Sequence, residues 1–161
     1  VQKDFGVSVE TDDNLLDKVT TKVDGDTLVI ETKENISPST TTAIRISMPE
    51  LVDLDLSGAS TGNIAGVKTD SLEVEASGAC KLKLDGEVKT FKAVASGAST
   101  VDGEALRAEN ATADASGAST VIVNASGDAD LDASGASSVY YLGEPKNLKQ
   151  NSSGASSIKK K

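Results

Sequence analysis

Carboxylates are the only plentiful reactive groups in this chain: 25 Asp and Glu stand against 16 Lys and Arg, with no histidine and a single cysteine, Cys80. Without histidine, the usual general base, a Ser-His-Asp arrangement and every His-containing metal site are excluded. One cysteine cannot build an internal disulfide framework or a Cys-based zinc site. What remains is carboxylate-pair chemistry of the kind that cleaves sugars, with Asp102, Glu104, Asp114, Asp128, Asp130 and Asp132 as candidates if neighbouring segments stack. So acidic a chain offers such pairs by chance, and a solvated acidic face is the simpler expectation.

Oxygen-rich runs also raise the question of calcium, which takes six to eight hard ligands. Asp24-Gly-Asp26 reads better as a hairpin turn, and Asp128-Ala-Asp130-Leu-Asp132 lacks the full EF-hand loop. Three carboxylates spaced by two on one strand face repel unless they are solvated or neutralised. No metal, cofactor or catalytic residue is therefore expected. Aromatics are few, namely Phe5, Phe91, Tyr140 and Tyr141, and the adjacent tyrosines are the best candidates for ligand contacts, one of the pair packing inward. The triplets at Asn35, Asn110, Asn124 and Asn151 match the N-glycosylation pattern, which in a Ser-, Thr- and Asn-rich chain says little.

Net charge is −9 and the pI is near 4.5, which argues against tracking a phosphate backbone. Lys159, Lys160 and Lys161 form the only basic run and read as a solvated end. No stretch approaches the roughly 20 apolar residues of a membrane span, so this domain is not expected to insert. The opening Val1-Gln2-Lys3-Asp4 lacks the apolar centre of a signal peptide, and an upstream export signal is expected either to have been removed or to lie outside this sequence.

The elements that would position these groups are set by a repeat. Ser-Gly-Ala-Ser begins at Ser57, returns as Ser-Gly-Ala-Cys at Ser77, and recurs at Ser96, Ser116, Ser134 and Ser153, at intervals of 20, 19, 20, 18 and 19 residues. Between these steps side chains alternate with period two, which means strands. Leu72, Val74, Ala76, Leu82 and Leu84 share one side, as do Phe91, Ala93, Ala95 and Val101, and then Ala111, Ala113, Ala115, Val121 and Val123. A unit of this length is too short for a propeller blade and fits one coil of a β-helix. The fold class predicted is all-β: a single-stranded, right-handed parallel β-helix of about six coils over 51–161, roughly 29 Å long at about 4.8 Å per coil. In each step Gly58, Gly78, Gly97, Gly117, Gly135 and Gly154 would permit a bend among small neighbours.

Residues 1–50 lack the step. Phe5 to Thr11, Leu16 to Val23, Thr27 to Thr32 and Ala43 to Met48 read as four strands, with Asp24-Gly25 marking a hairpin. The whole chain, 1–161, is then one domain whose N-terminal antiparallel sheet is expected to cap the first coil.

The hairpin Lys22-Val-Asp-Gly-Asp-Thr-Leu-Val-Ile-Glu31, the segment Ile44-Arg-Ile-Ser-Met-Pro-Glu-Leu-Val-Asp-Leu-Asp-Leu-Ser-Gly-Ala-Ser60 and the returning steps resemble the head GIN domain of auto-transporter adhesins, a family found largely in Bacteroidetes. The resemblance covers most of the chain. It implies a β-helix exported to the periplasm or outer surface, and it carries no catalytic motif onto these residues. Two departures stand out: the strand that normally precedes Val1 is missing, and Cys80 replaces the last Ser of one step.

The functional expectation is a non-catalytic surface or envelope module whose partner is a glycan, a protein or another copy of itself. A polysaccharide-degrading β-helix using carboxylates is the alternative. An ice-binding face is a third reading, suggested by Thr61, Thr100, Thr120 and Ser138 after successive steps, although no second matched threonine follows two residues later.

Overall fold

Residues that alternate large apolar with polar side chains over six or more positions can bury one face of an extended chain only by stacking on a copy of the same pattern. The computed structural model describes residues 5–10, 18–32 and 43–161. It divides into two compact units, Lys3–Pro49 and Glu50–Lys161. Readings that fall on Val1 to Asp4, Leu16 and Asn35 lie outside the described residues.

In the first unit, β1 (Gly6–Glu10) pairs antiparallel with β4 (Ala43–Ser47), and β2 (Val19–Asp24) pairs antiparallel with β3 (Thr27–Thr32). The Asp24-Gly25 signal is realised as a two-residue turn, Asp24 opposing Thr27 and Gly25 sitting at φ +60. Two small antiparallel sheets thus stand where the sequence suggested one.

The second unit is a parallel β-solenoid of about six turns. Its strands are β5 (Asp53–Leu56), β6 (Thr61–Ala76), β7 (Lys81–Ala95), β8 (Thr100–Ala115), β9 (Thr120–Ala125), β10 (Asp128–Ala133), β11 (Ser138–Leu142), β12 (Asn147–Ser152) and β13 (Ser157–Lys160). Every pairing among them is parallel. β8 pairs with β9 along its first part and with β10 along its last, because the fourth coil breaks into two strands at Ser126 and Gly127.

β6, β7 and β8 each run through both sides of a coil. Their second corner is made by register shifts inside a continuous strand, at Ile64/Val67, Lys83/Asp85 and Asp102/Arg107. Such irregularities bend a strand without ending its ladder.

The core consists of the alternate residues the pattern marked. Leu72, Val74, Ala76, Phe91, Ala93, Ala95, Val101, Ala113, Val121 and Val123 are fully buried, and Leu82, Leu84, Ala111 and Ala115 are nearly so. Phe91 is the largest of the fully buried side chains, and its ring fills space beside Gly103, where an added Cβ would come within 3.2 Å of Cε1. Small residues elsewhere let the strands approach at this one bulky point.

At the Ser-Gly-Ala-Ser corner the ladder never breaks. Ala79 N donates to Gly58 O at 2.7 Å, Ala98 N to Gly78 O at 2.7 Å and Ala118 N to Gly97 O at 2.7 Å, and the contact repeats up the stack. This closeness explains the glycine twice over. Gly78 sits at φ +86, and a Cβ there would lie 2.4 Å from the carbonyl oxygen of Gly58 directly beneath it.

In the inner coils the last Ser of the step points inward. Ser99, Ser119 and Ser137 are 1% exposed, a burial that a hydroxyl tolerates only with a partner. Ser119 Oγ donates to Ala95 O at 3.1 Å and Ser137 Oγ to Ala115 O at 2.9 Å, each reaching the strand end of the coil below. Cys80 occupies the same column fully buried, its Sγ 3.2 Å from Ser77 O.

Candidate functional site

Parallel in-register stacking turns each outward position into a column with one residue per coil, spaced by about 4.8 Å. Opposite charges in one column then attract and like charges repel. Most charged columns are sorted accordingly. Glu73 faces Lys92 at 2.6 Å, Glu87 faces Arg107 at 2.9 Å, Asp130 faces Lys149 at 2.9 Å, and Asp102 lies 3.9 Å from Lys83. The hydrogen bond from Glu73, helped by its charge, raises the Lys92 pKa above the ordinary lysine value, and Asp130 does the same for Lys149. Asp70 raises Lys89 likewise.

Asp53 opposite Glu73 is one exception, and a second column departs from this rule along most of its length. Asp55, Glu75, Val94, Asp114, Asp132 and Asn151 are successive register partners. Its four carboxylates form no ion pair among the described residues, and Asp114 stands directly opposite Asp132 on the neighbouring strand. The upper part of this column floors a groove of about 250 Å³, walled by the first serines of three steps, Ser116, Ser134 and Ser153. β8, β10 and β12 position the floor, and the corner that follows each strand supplies the wall.

Of the six carboxylates singled out for pair chemistry, Asp114 and Asp132 are brought together without an ion pair or side-chain hydrogen bond among the described residues, although their charges act on Lys92 and Lys149. Asp102 is beside Lys83, Glu104 is paired with Lys161, Asp128 accepts from Asn147 Nδ2 at 2.7 Å, and Asp130 holds Lys149. The calcium reading of Asp128, Asp130 and Asp132 finds little support in this geometry. Asp130 Oδ2 is bound to the Lys149 ammonium, and its Oδ1 is covered, without a hydrogen-bond partner among the described residues. No group of three or more candidate metal ligands occurs among the described residues.

The tyrosines lie beyond the step from the groove. Tyr140 and Tyr141 are both half-buried, Tyr140 in the outward column of Ile122 and Lys159 and Tyr141 in register with fully buried Val123. The hydroxyl column on that face reads Thr61, Lys81, Thr100, Thr120, Ser138, Ser157, so Lys81 interrupts the row behind the ice-binding reading. The sequence analysis missed the groove. The signal was there in Asp114-Ala-Ser116 and Asp132-Ala-Ser134, where an outward carboxylate precedes a step by two residues in successive coils.

Curated proteins provide no match. Among solved structures, a protein from Bacteroides fragilis described as a putative adhesin is 20% identical with a TM-score of 0.74, over 98% of this chain and 83% of that one. A Parabacteroides merdae protein with the same description is 12% identical with a TM-score of 0.50, over 96% of this chain and 82% of that one. These likenesses are of fold. The family model described as "Putative auto-transporter adhesin, head GIN domain" matches residues 2–145, and the chain belongs to that family.

Proposed function

We propose that this chain is a non-catalytic adhesin head, carried outside the cytoplasm at the cell surface or in the periplasm, that binds a glycan along the groove. The observation that carries this reading is the coincidence of concavity with unpaired like charges at Asp114 and Asp132. Stacking two carboxylates in register costs stability that neutral residues would not, a cost that the charges of Lys92 near Asp114 and Lys149 near Asp132 offset through space without an ion pair. Carboxylates accept hydrogen bonds from sugar hydroxyls, while Ser116, Ser134 and Asn151 can both donate and accept. Successive coils repeat these groups, which suits a polymer of repeating units. Each coil contributes weakly, so useful affinity comes from several copies. The negative floor favours neutral or amino sugars over uronates and sulfated chains. Tyr140 offers a second contact on the face after the step, and Tyr141 supports it by packing.

The test is binding of the domain, multimerised on a scaffold, to an array of neutral, amino and anionic glycans and matrix proteins. Saturable binding to neutral or amino glycans, lost in Asp114→Asn/Asp132→Asn, supports the groove. Loss only in Tyr140→Ala moves the site to the other face. Silence across the array at high valency sinks glycan adhesion. Release of reducing ends from a polysaccharide, abolished by either Asn substitution, would replace binding with hydrolysis.

A further inference from the structure

We infer that Asp24-Gly25, at the tip of the hairpin of β2 and β3, is a site of spontaneous backbone modification, where aspartate converts to isoaspartate through a succinimide while the chain stays folded. The sequence holds three Asp-Gly bonds, Asp24-Gly25, Asp85-Gly86 and Asp102-Gly103. As dipeptides they are alike, because glycine has no Cβ to crowd its nitrogen or to limit the backbone around it. In the reaction the glycine nitrogen attacks Cγ of the protonated aspartate side chain. A C–N bond forms, the C–OH bond breaks, and the hydroxyl leaves as water with the proton of the amide. Water then opens the ring. Attack at Cγ restores aspartate, and attack at the main-chain carbonyl leaves isoaspartate, with the backbone now running through Cγ. Water is the only co-reactant. The approach demands that the backbone turn about the Asp Cα–C bond until nitrogen meets Cγ, so what holds that backbone sets the rate.

The fold tells the three bonds apart. Gly25 is the first of two turn residues between the paired Asp24 and Thr27, which places its N–H outside the ladder of β2 and β3. The Asp24 side chain is 73% exposed, its ion pair with Lys22 is exposed at both partners and therefore weak, and a Cβ at Gly25 would meet nothing within 4 Å. Turning here opens only the last pair of a hairpin. Asp85, by contrast, is in register with Ala105, and Gly86 with Val67 on one side and Leu106 on the other. Asp85 Oδ1 accepts from Gly66 N at 3.2 Å, and a Cβ on Gly86 would lie 2.1 Å from Val67 O. Asp102 is flanked by Lys83 and Ile122, and its Oδ1 accepts from Glu104 N at 3.2 Å. A Cβ on Gly103 would lie 2.8 Å from Ile122 O and 3.2 Å from Phe91 Cε1. Turning at either place parts neighbouring coils beside the fully buried Val101 and Leu106. Local opening is nearly free at loop tips and approaches the cost of global unfolding in such a core. Once formed, isoaspartate adds a methylene to a two-residue turn, which undoes the pairing of Asp24 with Thr27.

Incubation of the whole chain at neutral pH for weeks, followed by proteolysis and electron-transfer mass spectrometry, which yields fragment ions specific to isoaspartate, tests the inference. In the native chain isoaspartate is expected at Asp24 at least about tenfold faster than at Asp85 or Asp102, and in urea at comparable rates at all three. Equal native rates at the three bonds overturn the inference. So does a native chain in which Asp24 stays unmodified, whether or not urea converts it. A preference for Asp24 that persists undiminished in urea also overturns it, since the cause would then be the neighbouring residues rather than the fold.

Discussion

Replacing the step glycine by alanine should cost very different amounts at the end of its column and inside it. Gly117 and Gly58 share a left-handed conformation, φ +73 and φ +77, which costs a non-glycine residue about 1–2 kcal/mol. Alanine also narrows the unfolded ensemble, returning about 0.4–1 kcal/mol at either site. Their surroundings differ. At Gly58 an added Cβ meets nothing within 4 Å, whereas at Gly117 it would lie 2.7 Å from Gly97 O and 3.1 Å from Gly97 N. That oxygen cannot easily retreat, because it already accepts from Ala118 N at 2.7 Å. Forcing a methyl into such a contact costs about 1–3 kcal/mol. Gly58→Ala is thus expected to lose about 1 kcal/mol, and Gly117→Ala about 2–4 kcal/mol, in urea unfolding. Asparagine, which tolerates the left-handed region, should be nearly neutral at Gly58 and costly at Gly117. Equal losses for the two alanine variants would refute the claim that stacking, rather than the turn alone, demands glycine.

Four further outcomes are expected. Asp114→Asn removes like-charge repulsion with Asp132 and should stabilise the chain by about 0.2–1 kcal/mol while weakening binding; destabilisation in urea would mean the pair is already compensated. Cys80→Ser places in the column the residue found at Ser99 and Ser119, so unfolding should shift by less than about 1 kcal/mol. The native Cys80 thiol, fully buried, should also react with thiol reagents far more slowly than in urea, and rapid labelling of the native chain would contradict its placement. Because the hydrogen bond to Glu73 raises the folded Lys92 pKa, the stability from this pair is fully present below the unfolded lysine value of about 10.4 and is lost as pH rises through the folded value. Thermal unfolding should therefore weaken in the alkaline range, less so in Lys92→Gln, and an identical fall in both would rule the pair out as a cause.

Much of this architecture was legible from local patterning. Period-two alternation separated inward from outward residues, so Leu72, Val74, Phe91 and Val101 could be assigned to the core before any contact was known. The recurring step located the corner, and Asp24-Gly25 located a hairpin, because a left-handed backbone and a two-residue turn each demand particular residues at the site itself. Where strands would bend without ending was hidden, since β6, β7 and β8 keep their ladders through the second corner and no residue type announces a register shift.

Contacts between coils were the part that only the tertiary structure decided. Step intervals vary from 18 to 20 residues, so counting along the chain does not say which outward residue meets which. A shift of one position would set Asp132 beside Ala113 or Ala115; the actual register sets it beside Asp114, gives Asp130 to Lys149 and inserts Lys81 into a threonine row. The physical reason is one of range. Alternation and turn chemistry are properties of a few consecutive residues, whereas a column's charge, a groove's floor and a buried serine's acceptor come from residues about 20 positions apart that only the stacked backbone ladder brings within reach.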